Sequence, residues 1–146
     1  MQNKKNKFQE LEDEAELDRL KGNPKKAFEK YIVLQNYYNL NKNVEKEKDI
    51  AKKLIKVHID IAKHYLKEGD KEDNKNISMI KKAVYELIDA IDISQKYGYK
   101  STVEKLYENA TGICRAYKLV ALENEIEHDW MKNTEKTYGN KKNVYF

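Results

Sequence analysis

Three histidines, one cysteine and a handful of acid-rich stretches are the residues of this chain that could do chemistry. His58 and His64 lie six apart, roughly 240° around a helix, so they cannot share one ligand. Asp60 and His64 sit at i and i+4 and can pair. Glu125-Ile126-Glu127-His128 contains a single Glu-x-x-His, the spacing of helical di-iron sites. Such sites need two copies and two further inward glutamates. Here the one copy lies in an acidic stretch with Glu123 and Asp129, so neither a metal nor another cofactor is expected. Cys114 falls on an apolar stripe and in no nucleophile motif. No Gly-x-Gly and no Gly-Lys-Ser/Thr is present to cradle phosphate. Neither Arg19 nor Arg115 has a His four to six residues later, the arrangement of helical ribonuclease-type domains. The expectation is a protein that is not an enzyme. A helical metal-binding enzyme is the least favoured reading.

The charges lead to a second class. The 146 residues carry 29 basic and 25 acidic groups, and only Arg19 and Arg115 are arginines. Lysine is a flexible point charge, whereas arginine is the usual reader of bases and phosphates. Lys52, Lys53, Lys56 and Lys63 share part of one helical segment, and Lys81 and Lys82 lie on the next. A nucleic-acid-associated helical protein using this lysine face is therefore the alternative reading. Interleaved acids weigh against it.

Such groups need elements to hold them. Helical spacing runs almost throughout, and alternation of the strand type is nearly absent. A first helix is predicted from about Phe8 to Lys21, with Leu11, Ala15, Leu17 and Leu20 as its stripe and Gly22 as its terminator. Asn23-Pro24 starts a second, on Ala27, Tyr31, Leu34 and Tyr38. The third, about 44–68, has two apolar lines: Ile50, Leu54, Ile61 and Tyr65, and Ala51, Ile55, Ile59, Ala62 and Leu66. A helix apolar over that width is sandwiched between neighbours. Residues 70–76 read as a loop, and a fourth helix follows to about Tyr97. Ser101 and Glu104 predict a capping box for a fifth. Beyond Tyr117 the apolar line shifts to Leu119, Leu122, Ile126 and Trp130, as a kink or as one long rod. The domain reading is a flexible basic N-terminus (1–7), one helical domain (8–138) and a C-terminal tail (139–146). The N-terminus lacks the apolar core of a secretory signal, no apolar run is long enough to span a membrane, and one cysteine fits a reducing compartment. A cytoplasmic location without a membrane partner is expected.

Gly22, Ala27, Tyr31 and Leu34 carry a resemblance. The segment 22–34 resembles the inter-helix turn and second helix of a tetratricopeptide repeat, and Ala15 falls where that repeat wants a small residue. The motifs around Ala62-Tyr65-Gly69 and Tyr107-Ala110-Cys114 match loosely. The resemblance implies an all-α fold of stacked antiparallel helical hairpins, a TPR-like α-solenoid. The bare residue pattern allows an irregular helical bundle instead. The family's role implies a non-catalytic protein–protein interaction scaffold that binds a partner protein or peptide on a helical groove. Glu12 and Glu16 suggest a basic partner segment. The residues expected to meet it are Glu12, Glu16, Tyr31 and Tyr38 on the first hairpin and Lys56, Lys63 and Tyr65 on the middle helix. Self-association through an uncapped end of the stack is a further expectation.

Overall fold

The computed structural model describes residues 6–71 and 75–145, with side chains as far as 134. Among these residues the protein is all-helical: α1 (Lys7–Leu20), α2 (Pro24–Leu40), α3 (Val44–Gly69), α4 (Ile77–Lys96), α5 (Lys100–Ala116) and α6 (Val120–Tyr145). Each helix packs on its sequence neighbours, most extensively α3 on α4.

Four short turns reverse the chain in the same way. Gly22, Lys42, Gly98 and Lys118 each take a positive φ. At each, the next residue's N–H reaches back to the carbonyl five residues earlier: Asn23 to Asp18, Asn43 to Tyr38, Tyr99 to Ser94 and Leu119 to Cys114. This closure satisfies helix-end carbonyls that would otherwise be orphaned. Glycine does it without strain, and two lysines do it at some cost. The sequence between Ala116 and Val120 therefore breaks fully, although no Gly or Pro marks it. Of the expected flexible N-terminus (1–7), Lys7 opens α1 and Asn6 caps it by accepting from the N–H groups of Phe8 and Gln9. Residues 1–5 lie outside the described residues. The tail expected from Gly139 is helical backbone through Tyr145.

Two cores share α3. The first joins Ala15, Tyr31, Leu34 and Tyr38 to Ile50, Leu54, Val57 and Ile61. The second joins Ile55 and Ala62 of α3 to α4, α5 and Leu122 and Ile126 of α6. The two apolar lines read on the third helix thus face two different cores. Elsewhere the structure departs from what the sequence predicts. Leu17 and Leu20 point outward from α1, at 51% and 72% exposure. Ser101 caps nothing; the N-cap of α5 is Tyr99, because the Gly98 turn commits the chain to helix two residues earlier.

The helix boundaries also correspond across the chain. Pro24 and Lys100, Leu40 and Ala116, and Val44 and Val120 are each 76 residues apart. So are the positive-φ residues, Gly22 with Gly98 and Lys42 with Lys118. The helices α1–α3 and α4–α6 are equivalent halves by this measure. Tyr31 and Tyr107 occupy one such pair, and both are buried.

Candidate functional site

α3 is the central element, and hollows open on both sides of one of its faces. The hollow towards α1, about 330 Å³, is polar; Glu12, Asp13, Glu16, Arg19, Lys53 and Lys56 line it. The groove towards α5, about 720 Å³, is largely apolar. Its walls are Ile59, Ala62 and Leu66 of α3 and Gly112, Ile113 and Ala116 of α5, with Leu87 of α4 behind them. Lys63, Lys67 and Glu108 stand on its rim. Gly112 belongs to a regular helix, and nothing lies within 4 Å of where its Cβ would be. The missing side chain leaves part of the groove open.

The polar hollow satisfies its own charges. Glu12, only 8% exposed, takes Lys53 on one carboxylate oxygen and Lys46 on the other at 3.4 Å. Burial opposes its ionisation, but the two ammonium groups outweigh burial and hold its carboxyl below the usual range. Glu16 accepts from the Tyr31 hydroxyl at 2.9 Å and from Arg19 at 3.2 Å. Arg19 also donates to Asp60 at 2.8 Å. These bonds tie α1 and α2 to α3 across up to 41 residues of chain.

The seven residues expected to meet a partner therefore separate. Tyr31 has no exposed surface and Tyr38 has 7%, so neither offers area to a partner; they are core. Burial, with the Glu16 carboxylate next, raises the Tyr31 hydroxyl far above its ordinary value. Glu12 and Glu16 line a hollow but are spent on internal pairs, which removes the charge argument for a basic partner there. Lys56 and Lys63 are exposed and border the two hollows. Tyr65 is half-buried, with the Lys25 and Lys82 ammonium groups 4.8 and 5.8 Å from its ring centre. The apolar groove itself went unread, because its walls come from residues some fifty positions apart. Gly112, a glycine inside a helical segment, is the one local signal for it.

The lysines do not form one face. Lys53 points to Glu12, Lys52 lies over the Tyr99 ring at 5.7 Å, and Lys82 lies over Tyr65. Cys114 is fully buried, and desolvation followed by Glu123 pushes its thiol up to about 11, which leaves little thiolate at neutral pH. Asp60 is held by Arg19 and does not serve His64. Glu125 and His128 are both exposed on α6. The third histidine, His58, is buried between helices, with Nδ1 3.2 Å from an oxygen of Glu86. No described helix is long and apolar enough to cross a membrane. Neither protein-family models nor curated proteins nor solved structures give a match to this chain.

Proposed function

We propose that this protein is a non-catalytic interaction module that seats a peptide segment of a partner protein in the α3–α5 groove. The groove itself carries the reading: about 720 Å³ of largely apolar space with lysines and a glutamate on its rim. Binding sites of this kind take affinity from buried apolar side chains and register from polar groups at the edge. The groove is large enough for two or three apolar side chains of an extended segment. The tetratricopeptide resemblance of residues 22–34 supports the same role, since helices of such repeats hold partner segments in their grooves. A reducing, cytoplasmic setting belongs to the same proposal, with the lone buried Cys114 as its support.

Gly112→Leu tests it. The new side chain grows into open space, so the fold is kept while the groove fills. Pull-downs from source-cell lysate with the wild-type chain and with this variant should differ. Discrete proteins retained by the wild type after nuclease treatment should be lost with Gly112→Leu, at unchanged far-UV circular dichroism. Recovery of nuclease-sensitive material alone, or equal capture by the filled variant, sinks the reading.

A further inference from the structure

The equivalent halves differ in how they balance charge. In the first half, Glu12, Asp13 and Glu16 of α1 face Arg19 and the α3 lysines Lys46 and Lys53. Glu12 becomes Ile88, but the counterparts of Asp13 and Glu16, 76 residues on, are Asp89 and Asp92 of α4, so two of the three acids persist. The cations do not. Arg19 becomes Gln95, Lys46 becomes Leu122 and Lys53 becomes Asp129. Asp92 is held above the usual carboxylate range by desolvation, then by Asp89 and Asp129. No ion pair relieves Asp89, Asp92 or Asp129 among the described residues.

His58 meets this acidic strip from α3. It is 6% exposed, and Phe28 packs its edge against the imidazole at 5.2 Å. The ring is fixed, and its Nδ1 is directed at Glu86. Glu86 and Asp89 lie one turn apart on α4, so their carboxylates share a face. One ligand atom from each of His58, Glu86 and Asp89 lies within 4.8 Å of the other two. A divalent ion with bonds of about 2.1 Å holds adjacent ligands roughly 3.0–3.4 Å apart. The His58–Glu86 separation of 3.2 Å already meets that. Asp89 is exposed and can close the remainder by a side-chain rotation.

We propose that His58, Glu86 and Asp89 form a binding site for a first-row divalent transition cation that clamps α3 to α4. One imidazole with two carboxylates suits Zn²⁺, Mn²⁺ or Fe²⁺, whereas Mg²⁺ and Ca²⁺ prefer oxygen alone. Asp92 and Asp129 stand outside the ligand set and supply a negative field. The cation replaces the ammonium and guanidinium groups that the first half provides from its own chain.

The test is isothermal titration of the full chain with Zn²⁺ after stripping with chelator, alongside Mg²⁺ at the same concentration. One saturable Zn²⁺ site per chain and a rise in Tm are expected, with no comparable heat from Mg²⁺. Asp89→Asn changes an exposed residue and should leave the apo fold intact while weakening Zn²⁺ by about tenfold or more. His58→Gln should abolish the site. His128→Gln, on the exposed Glu-x-x-His of α6, should leave it unchanged. The proposal is overturned by absence of saturable Zn²⁺ binding, by equal binding of Mg²⁺, by an unaffected Asp89→Asn, or by loss with His128→Gln.

Discussion

Glu12 shows how one carboxylate can hold two helices together. It leaves α1 at a position the sequence reads as solvent-facing, and instead meets Lys46 and Lys53 of α3. Desolvation disfavours its charge, yet its carboxyl lies below the ordinary value near 4.5 because two cations face it. A carboxyl whose folded value is depressed stabilises the fold above its unfolded value and loses that contribution as pH falls through the folded one. Its share is therefore complete at neutral pH and declines below about pH 4.5. The lysines keep about a third of their surface in water, so the pairs are only partly shielded. Glu12→Gln should cost about 1–2 kcal/mol at neutral pH. The gap in urea midpoint between wild type and variant should narrow from neutral pH to pH 3, as protons compete for the Glu12 carboxylate. A gap of unchanged size at both pH values would show that shape, and not charge, sets the cost.

Two glycines of regular helices make opposite demands on their elements. Gly69 closes α3 with an ordinary φ, so conformation is not its reason. A Cβ there would lie 2.8 Å from Ile80 Cδ1, 3.0 Å from Met79 Cβ and 3.1 Å from the Asn76 carbonyl oxygen. Ile80 is fully buried and the other two atoms belong to the start of α4, so none can retreat cheaply. Gly112 has open space and only the entropy of an unrestrained backbone. Gly69→Ala should therefore lower stability by about 1–3 kcal/mol, while Gly112→Ala should raise it by about 0.5–1 kcal/mol. Thermal melts by circular dichroism check both, and shifts of the same sign would contradict the packing argument. The elements themselves were largely legible. Gly22-Asn23-Pro24 announces one helix end and the next start, and the double stripe of α3 announces its two partners. The break at Lys118 was not legible, since its left-handed backbone has no glycine to declare it. The site was less legible still. Whether Glu12 meets water or Lys53 depends on residues 41 positions away, and no local pattern encodes that. The correspondence of the halves is likewise one of spacing more than of residue type. Tyr31 and Tyr107 keep it, but Leu34 corresponds to Ala110 and Tyr38 to Cys114, so the residue types do not repeat with the spacing.

At the scale of the molecule, α3 belongs to both cores, and this decides how the chain unfolds. Ile50, Leu54, Val57 and Ile61 are buried in the first core, and Ile55 and Ala62 in the second. Alternate faces of a single rod cannot be released one at a time, because melting α3 exposes both. The ion pairs of α1 with α3 and the Tyr97–Glu47 hydrogen bond of 2.6 Å add cross-links on either side of it. The single tryptophan makes this measurable. Trp130 of α6 stacks on Tyr107 of α5 at 5.1 Å, so its fluorescence reports the second half alone. Leu34→Ala removes a fully buried side chain from the first core. Such truncations cost about 2–5 kcal/mol. If α3 couples the halves, that cost should move the Trp130 transition in urea to a lower midpoint, coincident with the loss of helix by circular dichroism. Were the halves independent, the tryptophan signal would keep its wild-type midpoint while the helix signal split into two steps. The coupled outcome is expected, because no residue of α3 from Ile50 to Ala62 can leave one core without withdrawing its neighbours from the other.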